Sequence, residues 1–171
     1  ALVGAALLVA VQPAQAQVSK QAVLDTYANV AQAMYADALT EARKLQAAVN
    51  KLIAQPSKAN MDAARKAWLA TRVPYQQTEV YRFGNKIVDD WEGKVNAWPL
   101  DEGLIDYVDK SYGTTSKDNP LYTANVIANK SIKIGNKTVD TSKITKELLS
   151  ETLHEAGKVE ANVATGYHAI E

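Results

Sequence analysis

The sequence contains no cysteine among its 171 residues. Disulfides, cysteine-ligated zinc, iron–sulfur clusters and cysteine nucleophiles are therefore all excluded. A metal ion bound by this chain has to be held by histidine, carboxylate or other oxygen donors.

The chain also lacks an excess of charge of either sign. It has 19 Lys and Arg residues against 19 Asp and Glu residues, and its pI is near 7.0. No cluster of basic residues compensates locally, and nucleic acids are bound mainly through such charge. We therefore expect no nucleic-acid partner.

The longest apolar run, Ala1 to Val11, is too short to span a bilayer, which takes about 20 residues. It is followed by Ala14-Gln15-Ala16, the small-x-small pattern of a signal-peptidase site. We interpret residues 1–16 as the end of a secretory signal peptide, so that the mature chain begins at Gln17 and is exported to the periplasm or cell envelope. The alternative is an apolar N-terminal helix that packs on the protein body.

Residues 19–55 contain no glycine or proline, and Ser19 is suited to cap a helix that stops at Pro56. Apolar residues repeat there every seven positions, at Leu24, Ala31, Ala38, Leu45 and Leu52. This pattern predicts a long bundle helix. Glu41 interrupts the apolar seam, so either the seam has drifted to Ala42 or a carboxylate points inward.

A second helix is predicted to begin after Ser57, to pass through Pro74 with a kink, and to close at Gly84. Residues 85–120 then lose periodicity and collect glycine and proline, which predicts a long irregular loop region. Short helices are expected at residues 104–108 and, after the loop region, at 121–128.

The last third of the chain begins with alternating apolar residues around Gly135-Asn136, which predict a small β-hairpin with Ile132 opposite Val139. A third helix is predicted after Ser142, followed by a helical segment over residues 160–171. Together these elements predict an all-α protein, an antiparallel helical bundle with a long irregular loop region and a small β-hairpin excursion.

His168 and Glu171 lie three positions apart, which places an imidazole and a carboxylate on one face of a helix. Helical-bundle metalloproteins use such pairs as two ligands from one helix. The same spacing also occurs in simple surface pairs. Gly166 just upstream indicates a close backbone approach or a helix start. The zincin pattern H-E-x-x-H is absent, and His154 is expected to be a capping or surface residue.

Residues 166–171 resemble the G-x-H-x-x-E motif of the imelysin family, which is classed among peptidases as M75 and includes iron-regulated envelope proteins. The segment 67–84 is similar to the second-helix segment of that family. Residues 96–107 resemble its W-P-L-D-E loop, and residues 153–157 resemble its approach to the final motif. The resemblance covers nearly all of residues 18–171.

The resemblance implies a mostly helical protein with two bundle-like halves, exported to the periplasm or outer membrane and associated with iron acquisition. Residues 17–171 would then form the first half, with the second half following Glu171. The implied partners are a metal ion and iron-transport components of the envelope.

The resemblance also implies metal ligands at His168, Glu171, Glu79 and Asp101. Related ferrous-iron-uptake proteins of the periplasm are similar around the last two positions, and they imply supporting positions at Arg72 and Tyr75. The G-x-H-x-x-E motif adds Gly166 as a further supporting position. In this interpretation Arg72 holds a carboxylate in place. Spacing alone makes Glu79 a helix-surface residue and Asp101 an N-cap, and these alternatives stay open.

One imidazole with two or three carboxylates suits a divalent metal such as iron or zinc. The favoured function is an exported metal-binding protein of iron acquisition. A metallopeptidase is the second hypothesis, because a bound metal can activate water, but no catalytic residue stands out. A helical scaffold without metal is the third.

Overall fold

The computed structural model describes residues 18–171. Its α-helices are α1 (Lys20–Ala54), α2 (Lys58–Gln77), α3 (Lys86–Val95) and the single turn α4 (Tyr167–Ile170), and its strands are β1 (Ser131–Ile134) and β2 (Lys137–Asp140). The predicted all-α fold with a small β excursion is confirmed. The predicted signal peptide lies outside the described residues. Within residues 18–171, no helix is both long and apolar enough to cross a membrane.

The first two helices begin at the predicted serine caps. Ser19 Oγ accepts a hydrogen bond from the Ala22 backbone N–H at 3.1 Å, and Ser57 Oγ accepts one from Asn60 at 3.2 Å. A side-chain acceptor at this position satisfies a backbone donor that the helix itself leaves unpaired. The short connection between the helices makes them antiparallel neighbours.

The contacts of α1 show that the chain after it runs antiparallel to it. Leu45 packs with Tyr75 of α2 in one core cluster, while Met34, earlier in α1, accepts a hydrogen bond from Tyr81, which lies just beyond the end of α2. The seam of α1 is buried at Ala38 and Leu45, but Leu24 is 62% exposed. The reason is length, since α1 has 35 residues and α2 has 20, so that α1 is longer by about 22 Å.

Glu41 lies at the edge of the helical hairpin and forms a 2.6 Å ion pair with Lys44. Its side chain is about a quarter exposed (26%), which fits a drifted seam better than an inward carboxylate.

Beyond Pro74 the helix continues to Gln77 and then tightens into a 3₁₀ helix, Thr78–Tyr81. The prediction of an irregular region from residue 85 is wrong for residues 86–95, which form α3. That helix spans fewer than three turns and contains Gly93, so it is too short to show clear periodicity.

The expected short helices at residues 104–108 and 121–128 are not formed. A 3₁₀ helix, Glu102–Leu104, replaces the first. In the second segment, the backbone N–H groups of Asn125, Val126 and Ile127 donate to the carbonyls of residues 103–105. Because these donors are used by a distant segment, they are not available to a local helix.

The β-hairpin is confirmed with the predicted register, Ile132 opposite Val139. These two side chains enter a second core cluster, formed by the irregular region and the chain around the hairpin. The buried members of this cluster are Leu104, Leu121, Val126, Ile132, Val139, Leu153, Ala156 and Ala164.

The helix predicted after Ser142 is formed in part, up to Leu153, and the helical segment predicted over residues 160–171 is formed only at its end. The chain forms a π-helical segment, Leu148–Leu153, and then turns at Glu155, which has a φ of +53°. The fully buried Asn162 side chain donates to the Ala156 carbonyl at 2.7 Å. Residues 160–166 were predicted to be helical but form this buried loop. The regular α-helix begins only at Tyr167.

Candidate metal site

The turn that presents the histidine begins at a close backbone crossing. Gly166 has a φ of +89°, and a Cβ built on it would lie 2.4 Å from the Val95 carbonyl oxygen. Only glycine adopts this conformation readily and leaves room for that carbonyl. The preceding Thr165 hydroxyl donates to the Lys94 carbonyl at 2.8 Å. The chain is thereby held against the C-terminal end of α3, as the sequence position of Gly166 indicated.

Tyr167 anchors the single turn α4 to α2. Its backbone carbonyl accepts a hydrogen bond from Trp68 Nε1 at 2.9 Å, and its hydroxyl lies 3.1 Å from the hydroxyl of the buried Thr71. Its ring lies 4.9 Å from the ring of Tyr75. One helical turn is not stable by itself, so these contacts set its direction.

His168 follows this anchor and turns its ring toward Trp98, with the ring centroids 4.9 Å apart. Its side chain is 19% exposed, and its Nδ1 atom lies 3.7 Å from Glu171 Oε2. That distance is too long for a hydrogen bond. Within residues 18–171, His168 Nδ1 is buried without a hydrogen-bond partner. A buried nitrogen of this kind is destabilising unless another group binds it.

A pocket of about 660 Å³ opens beside this pair. Trp98 and two tyrosines give it aromatic walls, and further carboxylates lie around it. Among its lining residues are His168, Glu171, Trp98, Tyr107, Tyr112, Glu102, Asp106 and Asp109. Sequence reasoning did not single out Glu102, although it directly follows Asp101 in the W-P-L-D-E segment.

Asp101 does not line this pocket. Its carboxylate accepts a hydrogen bond from Asn119 Nδ2 at 2.6 Å, and its backbone N–H donates to the Ala161 carbonyl at 2.8 Å. Asp101 occupies the N-cap position of the 3₁₀ helix Glu102–Leu104, but its side chain makes no capping hydrogen bond. In this structure it joins two loops.

Glu79 lines a different pocket, of about 550 Å³, in which Glu92 is also found. Asn96 Nδ2 donates to both carboxylates, at 3.4 Å to Glu79 and 3.2 Å to Glu92. Arg82 Nη1 lies 3.1 Å from Glu92 and 4.0 Å from Glu79. Trp98 lines both this pocket and that of His168, so the two pockets adjoin at its ring.

Arg72 contacts the Asn96 amide and two tyrosine rings. It donates a hydrogen bond to Asn96 Oδ1, the same amide that donates to Glu79. Its guanidinium carbon lies 4.8 Å from the centroid of the Tyr167 ring and 5.6 Å from that of Tyr75. Burial, and secondly the charge of Glu79, raises the pKa of Tyr75 above its ordinary value. Tyr75 is therefore a neutral packing residue at physiological pH.

His154 is half-buried and hydrogen-bonded. Its Nδ1 lies 3.4 Å from the Ala164 backbone nitrogen, which donates to it, and 3.2 Å from the Thr165 hydroxyl. It steadies the segment that leads to Gly166 and does not line the pocket of His168.

The structure thus brings together His168 and Glu171, and it places Glu79 and Asp101 elsewhere. Across residues 18–171, no three His, Asp or Glu side chains are close enough to hold one metal ion. The donor chemistry of the pair fits a metal, because an unpartnered imidazole nitrogen lies beside a carboxylate at a pocket.

The comparisons with known proteins identify the family of the chain. The family model for imelysin, peptidase M75, matches residues 31–171, and the chain belongs to that family.

A curated relative is named iron-regulated protein A and comes from Synechococcus elongatus. It is 31% identical over 91 residues, which cover 53% of this chain and 26% of the relative. The matched part of this chain thus spans about a quarter of the length of that relative.

Proposed function

We propose that this chain belongs to an exported protein of the cell envelope that binds a metal ion, preferably iron, in iron acquisition. The observation that supports a metal best is the buried, unpartnered Nδ1 of His168, which lies 3.7 Å from the Glu171 carboxylate within the described part of the chain. The name of the relative supports the link to iron.

An imidazole and a carboxylate from one helical turn are borderline-to-hard donors, which suit iron and also accept zinc. The anchoring of Tyr167 fixes the backbone of the turn that carries the two proposed ligands. Glu79 and Asp101 remain predicted ligands, and they would have to approach this turn to share its ion.

Export is proposed from the sequence alone. The apolar run and the Ala14-Gln15-Ala16 site indicate secretion to the periplasm or envelope. Fractionation of cells that produce the natural full-length protein tests this, since recovery in the cytoplasm with residues 1–16 still attached would contradict it.

Metal titration of the natural full-length protein by calorimetry, together with elemental analysis, tests the metal site. We expect one iron or zinc ion per chain in the wild type, and loss of at least 100-fold in affinity in His168→Ala and 10-fold or more in Glu171→Gln, since outer partners alone are already worth 10–100-fold. Glu79→Gln and Asp101→Asn test the two predicted ligands in the same assay.

Glu41→Gln is the matched control for the glutamate variant. Glu41 also makes a pair at helical i, i+3 spacing, with Lys44, but it lies on α1 away from the pocket. An equal loss of metal affinity in Glu171→Gln and Glu41→Gln would contradict the proposal. So would wild-type metal affinity in a folded His168→Ala variant.

A metallopeptidase would use the same pocket, which Glu102 and Asp106 also line; a metal held by His168 and Glu171 would activate a water there, and one of these carboxylates would serve as the general base. Peptide cleavage that a chelator abolishes, and that disappears in His168→Ala and Glu102→Gln, would favour this second candidate. Cleavage that persists in both variants would exclude this pocket as the catalytic site.

A further inference from the structure

The stretch that contains the β-hairpin carries a concentration of positive charge, which the balanced composition of the whole chain conceals. Residues 130–146, the basic hairpin segment, contain five lysines and one acidic residue, which gives a net charge of +4. The rest of the chain has 14 basic against 18 acidic side chains. Because the lysines lie three to six positions apart, they form no basic run in the sequence. They are Lys130, Lys133, Lys137, Lys143 and Lys146.

The register of the hairpin distributes three of these lysines along its length. Lys133 lies in β1 opposite Thr138, and Lys137 is the first residue of β2, next to the turn. The carbonyl of Lys130 accepts a hydrogen bond from the Thr141 backbone N–H at 2.9 Å, which places Lys130 at the base. A hairpin of four residue pairs is about 14 Å long at ~3.4 Å per residue. Three positive charges are thus carried on one short element.

The lysines of the basic hairpin segment are exposed and are not neutralised by ion pairs. All five are exposed, and none forms an ion pair within residues 18–171. The single acid of the segment, Asp140, accepts a hydrogen bond from the Ser142 backbone N–H at 2.8 Å. The hairpin buries Ile132 and Val139 on its inner face, while its outer face is exposed. The segment therefore presents a positive field to its surroundings.

The residue types of the segment favour a diffuse anionic surface over the specific recognition of one anion. All five cations are lysines, and no arginine occurs after Arg82. Lysine is a flexible point charge, whereas the planar fork of arginine suits bidentate recognition of a single phosphate. Residues 123–166 also contain no Trp, Tyr or Phe on which a nucleic-acid base could stack. Neither pocket described above is lined by these lysines, so those cavities do not gather them around a small anion.

We propose that the basic hairpin segment docks on the surface of a bilayer that contains anionic phospholipids. Each lysine near such a surface strengthens binding by about fivefold, and the attraction falls off within a Debye length of ~8 Å. Ile144 lies between Lys143 and Lys146 in the sequence and is 47% exposed, so it adds an apolar side chain that can enter the headgroup region. This inference goes beyond the proposed metal-binding function and does not depend on it.

Co-sedimentation of the natural full-length protein with lipid vesicles tests the docking surface. The probes are vesicles of phosphatidylcholine alone and vesicles of equal parts of phosphatidylcholine and phosphatidylglycerol. We expect binding to the anionic vesicles to be stronger by about tenfold or more. The bound protein should be released at about 1 M salt, where the Debye length falls to ~3 Å.

Variants of two lysines test whether the hairpin carries the contact. Lys133→Gln/Lys137→Gln should weaken binding to the anionic vesicles about 25-fold, which is about fivefold for each charge removed. Lys133→Arg/Lys137→Arg keeps both charges and should bind as the wild type does. The matched control is Lys51→Gln/Lys66→Gln, which removes the same charge from exposed positions of α1 and α2 that form no ion pair within the described residues. The control should also bind as the wild type does.

The outcomes that overturn the inference are distinct. Equal binding to neutral and anionic vesicles, or the same loss in both glutamine variants, would show that the hairpin charge does not carry the contact. Salt-sensitive binding of a nucleic-acid duplex without binding of vesicles would assign the segment to a different partner. Because these substitutions lie outside the pocket of His168, metal titration of the same samples should be unchanged, so failure here and failure of the proposed metal site can be told apart.

Discussion

The crossing of Gly166 over the end of α3 gives the sharpest prediction about how the metal site is built. Replacing Gly166 by alanine adds a Cβ that would lie 2.4 Å from the Val95 carbonyl oxygen, at a φ of +89° and a ψ of −170°. Backbone strain in this glycine region costs about 1–3 kcal/mol. Forcing an extra carbon into a packed position adds about 1–3 kcal/mol. We therefore expect the free energy of unfolding to fall by about 2–6 kcal/mol.

Gly113 provides a matched control with nearly the same backbone conformation. Its φ is +89° and its ψ is 171°, but a Cβ built on it meets no atom within 4 Å in the described structure. Gly113→Ala should thus lose only the strain contribution, about 1–3 kcal/mol. The difference between the two variants measures the contact with Val95.

Urea denaturation of the natural full-length protein and of both variants measures these losses, and metal titration of the same samples measures their effect on the site. Gly166→Ala should also bind metal at least tenfold more weakly, because the turn before His168 is displaced. Equal stability and equal metal affinity in the two variants would refute the argument that this crossing positions the histidine.

Three further predictions concern the surroundings of the site. Trp68→Phe removes the hydrogen bond to the Tyr167 carbonyl, so unfolding experiments should show a loss of about 1 kcal/mol, and calorimetry a weaker metal affinity; an unchanged affinity would argue against this anchor. Asn162→Ala removes a fully buried amide that is hydrogen-bonded to Asn119 and to the Ala156 carbonyl, and we expect the free energy of unfolding in urea to fall by about 3 kcal/mol. A fall below 1 kcal/mol would contradict the view that this amide holds the loop together. Because the pKa of Tyr75 is raised in the folded chain, its stabilising contribution should be intact below pH ~10 and decline above it, as the unfolded tyrosine ionises. Tyr75→Phe should flatten that decline in a stability–pH series, and an unchanged slope would contradict the assignment.

The parts of the fold that follow local rules were predictable from the sequence. Ser19 and Ser57 cap the helices where their position before apolar-periodic segments indicated. The Gly135-Asn136 turn fixes the register of the hairpin through its two-residue length. Each of these features depends on residues that are close together in the chain.

The irregular region was not predictable in the same way, because distant segments determine it. Residues 121–128 were predicted to be helical, but the backbone N–H groups of residues 125–127 pair with the carbonyls of residues 103–105. Residues 160–166 are held by the buried Asn162 side chain and by contacts with α3. Local propensity has no information about partners so far away in the chain.

The candidate site was also predictable only in part. The spacing of His168 and Glu171 predicted that they share a helical face, and the structure brings them together. The contact between the Trp98 and His168 rings and the presence of Glu102 in the pocket depend on how the loop after α3 folds back. The path of this loop leaves no periodic pattern in the sequence from which it could be predicted.

X-ray absorption spectroscopy of the iron- or zinc-loaded natural protein tests the central claim most directly, because it detects imidazole ligands of the bound ion. We predict one imidazole nitrogen per metal in the wild type, contributed by His168, and none in His168→Ala loaded at saturating metal. An imidazole signal that is absent from the wild type, or that persists unchanged in His168→Ala, would contradict the account.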